Sequence, residues 1–404
     1  MTRFGTALCR VNVCAAVAMI TACTNSQEGI RSLPAGLSNP AATEALGSAQ
    51  VRAKAKESVV YRFLGGSNGR DPLAALHYVN GKLFGTTLLG GTSNIGTVFS
   101  VTPTGKETVL HSFTGSPKDG SGPVASVTGT TLFYTTTAAG GADNVGAVIT
   151  IAPSGKEKLR YSFAGGSDGA APAADLLGVD GTLYGTTSQG GGASRTGTVF
   201  SIGKSGTEKV LHSFGGGTDG IYPVADLISV GGALYGTTEF GGAHGLGTVF
   251  RVTKSGEERV LHSFAGGSDG ANPQAGLINV GGTFYGTTTE GGANDNGTVF
   301  RITSGSEKVV HSFGSGSDGI SPYSKLINVG GTLYGTTADG GTSGKGTVFS
   351  IAKSGKESVV YSFAGGSDGA VPTAGLINVS GKLYGTTGDG GSSNNYGTVF
   401  SIVP

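Results

Sequence analysis

Three sets of polar residues in this 404-residue chain have types and spacings that could do chemistry. Four of its six histidines, His111, His212, His262 and His311, share one place in a tract typified by V-L-H-S-F that recurs about every 50 residues. Imidazoles can ligate a transition metal. At one per repeat on outer strands, however, they cannot converge on a single ion, and Tyr61, Tyr161 and Tyr361 take the same place in other repeats. A ring that packs between neighbouring units and donates one hydrogen bond accounts for both residue types. Neither a metal nor a cofactor is therefore expected.

The second set is Asp119, Asp168, Asp219, Asp269, Asp318 and Asp368, with Asn68 in the first repeat, each directly before a glycine and shortly before a proline. Calcium would need several oxygens at one point, and one carboxylate per loop is too few. Aspartate or asparagine before glycine is instead what a tight turn requires, because the side chain caps local N–H groups and glycine takes positive φ. A structural turn role follows for all of them.

The third set lies in the segments that differ most between repeats, whose tips read Leu88-Leu89, Ala138-Ala139, Ser188-Gln189, Glu239-Phe240, Thr289-Glu290, Ala338-Asp339 and Gly388-Asp389. Glu239, Glu290, Asp339 and Asp389 fall in four consecutive repeats and read as an acidic arc at one register. With Phe240 and Leu89 they are the candidate ligand-binding residues. A ligand with cationic or hydroxyl-rich groups could use the acidic side and rest an apolar part on Leu88, Leu89 or Phe240. The competing reading is an extracellular hydrolase or lyase built on the same carboxylates. A glycosidase needs two carboxylates flanking a sugar cleft, and these recur without a partner base in a chain that has no tryptophan. Non-catalytic binding of a glycan, peptide or cell-envelope ligand is the favoured reading, with no catalytic residue assigned.

The elements that must position these residues follow from the repeat. Successive units open with Glu57, Glu107, Glu157, Glu208, Glu258, Glu307 and Glu357 at intervals of 49 to 51 residues, so seven units fill residues 57–404. In the fifth, Arg259–Phe264, Gln274–Val280, Thr283–Thr288 and Thr298–Thr303 are short and rich in β-branched and aromatic residues, separated by glycine turns. Such stretches are strands. Four strands repeated seven times make an all-β, seven-bladed propeller. If the stretch opening at each proline is innermost, Pro372–Val379 starts the last blade, Lys382–Thr387 and Thr398–Val403 continue it, and Ser58–Phe63 supplies its outermost strand. The N-terminal strand would then close the ring and remove the exposed edges. The variable loops and the Asp-Gly loops emerge on one face in this arrangement.

The units G-T-V-F-R-[IV], [ED]-x-V-L-H-S-F, G-S-D-G-x-x-P and L-Y-G-T-T-x-x-G-G resemble the GloVer tandem repeat family of bacterial surface proteins, across residues 57–404. The resemblance implies a surface protein with a family-variable anchor and no assigned catalytic residue. The second unit departs most, with Thr135 where the others have glycine and Gly146-Ala147-Val148-Ile149 in place of G-T-V-F.

The first residues supply an address. Arg3 and Arg10, then the apolar run Val11–Ile20, read as an export signal over residues 1–22. Ile20-Thr21-Ala22-Cys23 resembles a bacterial lipobox, which makes Cys23 a lipidated N-terminus, and Thr24 after it points to the outer membrane or cell surface. No C-terminal sorting segment precedes Pro404, so the anchor is expected at the N-terminus. Residues 23–56 read as a lipid-anchored flexible tether; flexible, they would reach about 32 Å. Composition agrees with a turn-rich β protein, with 77 glycines and only 13% charged residues. A net charge of +1 leaves no basic patch for nucleic acid. A monomer is expected.

Overall fold

The computed structural model describes residues 55–404, Ser315 apart; the export signal, Cys23 and most of the tether lie outside the described residues. The chain forms seven blades of antiparallel strands, in the first of which His77–Val79, Lys82–Thr87, Thr97–Val101 and Glu107–Ser112 run from the inside outward. The N-terminal strand Lys56–Arg62 pairs with the C-terminal strand Thr398–Val403, from Lys56 opposite Val403 to Arg62 opposite Thr398, with a bulge between Val59 and Tyr61. The seventh blade is closed as expected.

One expectation is corrected. The innermost strand of the fifth unit, read as Gln274–Val280, joins its own ladder only over Ile278–Val280. Its upper part bonds the preceding blade instead, where the Thr237 hydroxyl donates to the Ala275 carbonyl at 3.1 Å. Every seam repeats this, from Thr86 to Ala125 at 2.8 Å round to Thr386 and Ala74 at 3.2 Å, which joins the last blade to the first. The first threonine of L-Y-G-T-T is thus an inter-blade clasp. The second works within a blade: Thr87 and Thr97, like Thr288 and Thr298, lie with hydroxyls 2.8 Å apart.

The core is distributed over the seams. The phenylalanine ending each V-L-H-S-F tract enters the next blade, so that fully buried Phe63 meets Phe99 edge-on at 5.0 Å and Phe264 meets Phe300 at 5.1 Å. The phenylalanine of G-T-V-F, which receives it, explains the glycine of L-Y-G-T-T. A Cβ added at Gly85 would lie 2.7 Å from Phe99 Cζ. In the second unit Thr135 replaces the glycine and sits opposite Ile149 rather than phenylalanine, a smaller partner that leaves it room. Ala147 there replaces the threonine of G-T-V-F that elsewhere pairs with the second threonine of L-Y-G-T-T, and Thr137 Oγ1 is left buried without a partner.

Candidate functional site

The innermost segments follow P-x-A-x-L, and period-two alternation sends their third and fifth residues into the blade and their second and fourth to the central channel. Ala74, Leu76, Ala225 and Leu227 are accordingly at most 6% exposed. The channel holds a cavity of about 590 Å³. Its fourth-position ring reads Ala75, Ser126, Asp175, Asp226, Gly276, Lys325 and Gly375, although the motif around it is nearly copied from blade to blade.

Four of these form one polar chain across the channel wall. Ser126 donates its backbone N–H and its hydroxyl to the Asp175 carboxylate at 2.6 and 2.5 Å. The Asp175 N–H in turn donates to Asp226 Oδ1 at 2.9 Å, and Lys325 Nζ lies 3.7 Å from Asp226 Oδ2. Lys325 belongs to the sixth blade and Asp226 to the fourth; the fifth contributes only Gly276 between them. A Cβ there would sit 3.0 Å from Asp226 Cβ and 3.4 Å from Oδ2, so the glycine leaves the gap through which lysine and aspartate meet. Enclosure by protein, then the neighbouring Asp226 charge, holds the Asp175 carboxyl above its ordinary range, while Ser126 and Lys325 act the other way. Asp175 keeps part of its surface on the channel water.

Above this ring the loops meet on one face, as expected from the topology: Leu89 bridges Arg70, Phe240 bridges Ile221, Glu290 bridges Ala271 and Asp389 bridges Ala370. The single-register arc is corrected here. Phe240, not Glu239, is the counterpart of Glu290, Asp339 and Asp389, and Glu239 comes one residue earlier. That shift turns it inward, 4% exposed, where Gln274 Nε2 donates to its Oε1 at 3.0 Å. Burial, then the Glu290 charge, pushes the Glu239 carboxyl up to about 7. Glu290 itself accepts from Asn272 Nδ2 at 2.8 Å, and Asn272, 8% exposed, keeps an unpartnered Oδ1. The Tyr323 hydroxyl is pushed up to about 12 by burial and then by the charges of Asp339, Glu239 and Glu290, all three of which act on it. Asp389 stands apart and acts on Asp71, itself in an ion pair with Arg70 at 3.8 Å. Leu89 and Phe240 are half-buried, the latter edge-on to Tyr222 at 6.1 Å. Glu239, Glu290 and Asp339 thus make the channel mouth acidic over the fourth to sixth blades, while Asp389 and Asp71 form a separate pair offset by Arg70. Gln274, Tyr323, Asn272 and the channel ring escaped the sequence reading, which compared loops and passed over variation inside the copied P-x-A-x-L strand.

The model of the Gloeobacter/Verrucomicrobia repeat matches residues 49–245 and again 226–404. The chain belongs to this repeat family. Among curated proteins none matches it. Similar solved structures include a gluconolactonase from Xanthomonas campestris, at 14% identity over 86% of this chain and 89% of that one with a TM-score of 0.41. A putative gluconolactonase gives 13% identity over 87% and 92% with a TM-score of 0.41. The subtype N11 neuraminidase-like protein of a flat-faced bat influenza A virus gives 10% over 86% and 92% with 0.42. Similarity at that level says nothing of activity.

A second arrangement recurs around the Gloeobacter/Verrucomicrobia repeat ring. Each aspartate before glycine accepts from a backbone N–H of its loop, with Asp269 Oδ2 accepting from the Ala265 N–H at 2.7 Å and Asp368 Oδ2 from the Ala364 N–H at 2.6 Å. The ring of the V-L-H-S-F tract reaches the same carboxylate: Tyr161 and Tyr361 hydroxyls donate at 2.6 and 2.8 Å, and His262 Nε2 lies 3.1 Å away. The glutamate opening the next unit completes the group. Burial, then the adjacent aspartate, pushes Glu258 and Glu357 up to about 7. The sequence reading placed each ring between units with one hydrogen bond, and for a metal asked whether histidines meet one another, so the meeting of histidine with carboxylates of two blades went unseen.

Proposed function

We propose that this chain is a non-catalytic, surface-tethered binding propeller whose acidic channel mouth takes a hydroxyl-rich or cationic part of an extracellular glycan or peptide. The observation that supports it is the convergence of Glu239, Glu290 and Asp339 on Tyr323, with Gln274 and Asn272 as amide partners. Elsewhere the repeat copies itself; here it gathers carboxylate, amide and phenol groups beside a cavity, the mixture that orients a polar ligand. A glycan array and cationic peptides probed with the purified chain should yield a binder. Glu290→Gln with Asp339→Asn should weaken it tenfold or more, since hydrogen bonds to charged groups contribute about 1.5–3 kcal/mol each, while Asp389→Asn should change little. Binding that survives the double change at unchanged stability would return the mouth to a solvated rim.

A hydrolytic reading draws on one feature, a buried Glu239 raised to about 7 beside Glu290, the kind of pair that divides acid from base roles. Sugar release by the parent that disappears in Glu239→Gln would replace binding with catalysis. The proposed tether is lipidated Cys23, with the propeller held as a monomer at the outer membrane or cell surface. In detergent-phase partitioning, Cys23→Ala should move from the detergent to the aqueous phase; a variant that partitions like the parent removes the anchor.

A further inference from the structure

Among the described residues, three consecutive seams bring an imidazole and two carboxylates closer together than the other four do. His212, Asp219 and Glu258 meet between the third and fourth blades, His262, Asp269 and Glu307 in the next seam, and His311, Asp318 and Glu357 in the one after. In each, one nitrogen and two carboxylate oxygens lie within 4.8 Å of one another. The histidine side chains are only 19 to 21% exposed. The carboxylate of the loop aspartate is fixed by a backbone N–H, as where Gly215 donates to Asp219 at 2.6 Å and Gly314 to Asp318 at 2.6 Å. The imidazole Nε2 is 3.1 to 3.4 Å from that aspartate. The glutamate opening every unit, Glu258, Glu307 and Glu357 among them, buries an Oε1 with no hydrogen-bond partner; His311 Nε2 has none either, whereas His212 and His262 hold their aspartates at 3.2 and 3.1 Å. Buried polar atoms are almost always satisfied; a cation would satisfy the free Oε1, and among the described residues these three seams place an imidazole and a second carboxylate close enough to share it.

The remaining seams show why only these three qualify. Tyr161 and Tyr361 place a phenol where the imidazole would be, and each spends its O–H on Asp168 or Asp368. The first seam has Tyr61 with Asn68, whose amide donates to Glu107 at 3.1 Å. His111 faces Asp119 across a loop one residue longer, and that aspartate, 4% exposed, already accepts from Thr114 N, Thr114 Oγ1 and Gly120 N. Asp119 holds three such donors where Asp318 holds two, and Glu157 does not close up with His111 and Asp119 as the other glutamates do.

We infer that these three seams are binding sites for a divalent first-row transition metal such as Zn²⁺, each held by one imidazole and two carboxylates, with water completing the shell. Each ion would tie the outermost strand of one blade to that of the next, a use unconnected with the channel mouth.

Calorimetric titration of the full chain, stripped with a chelator, should find three equivalents of Zn²⁺ and a raised unfolding temperature. His212→Tyr, His262→Tyr and His311→Tyr introduce the residue that this chain itself uses at 161 and 361, so the fold is preserved; each single change should remove one equivalent and the triple change all three. Co²⁺ absorption bands lost in step provide a second readout, and Glu258→Gln, Glu307→Gln and Glu357→Gln a second set of variants. Failure of the parent to bind Zn²⁺, or a stoichiometry that the triple variants leave unchanged, overturns the assignment.

Discussion

Deletion of residues 57–63 lowers the unfolding temperature of the whole ring, on the order of 10 °C or more. The strand Lys56–Arg62 is the outermost strand of a blade whose other strands come from the C-terminus, so its removal leaves Thr398–Val403 with an unpaired edge. It also removes Phe63, fully buried in the seam with Leu76, Leu83, Phe99 and Tyr384. Loss of a buried phenylalanine side chain alone costs about 3–5 kcal/mol, which Phe63→Ala measures without touching the ladder. The effect reaches beyond one blade, because the clasp from Thr386 to Ala74 and the Phe63 seam together join the last blade to the first. Thermal unfolding followed by far-UV circular dichroism checks it. An unchanged midpoint in the deletion would refute closure by this strand.

Asp226→Ala destabilises the protein by about 1–3 kcal/mol, the usual penalty for orphaning an enclosed donor. It strips the acceptor from the Asp175 N–H and leaves the Lys325 ammonium without its carboxylate. Lys325→Met costs less, because a pair 3.7 Å apart and partly open to channel water contributes under about 1 kcal/mol. Asp175→Asn separates charge from shape, since the amide can keep both contacts to Ser126. Burial and Asp226 raise the folded pKa of Asp175 above its unfolded value. Its stabilising contribution is therefore complete below the ordinary carboxylate range and is lost as pH rises through the raised value. Urea unfolding between pH 4 and pH 8 should show the parent losing more stability than Asp175→Asn over that interval. Parallel curves would mean that Asp175 titrates normally and the channel chain is solvated.

Much of the architecture was legible because repeats state it many times over. Glutamate spacing gave the blade count, apolar runs between glycine turns gave the strands, and a proline-initiated stretch at the inner edge gave the closure. The clasp threonines and the pairing of Gly85 with Phe99 against Thr135 with Ile149 were already written in L-Y-G-T-T and G-T-V-F. Their meaning needed the neighbouring strand.

What the sequence determined by itself is thus the local and periodic part: seven four-stranded units, Asp-Gly turns, an acidic bias in the loops of the later repeats, and membership of a repeat family. These depend on residues close in the chain, where spacing and turn chemistry suffice. Tertiary structure decided which side chains meet. Ser126, Asp175, Asp226 and Lys325 come from four blades and touch only because the ring brings every innermost strand to one axis. Glu239 left the arc because a one-residue offset on a strand reverses the side to which a side chain points. His262 meets Glu307 some 45 residues away because consecutive blades stack face to face. Contacts between repeats depend on ring closure and blade twist, which no single repeat contains.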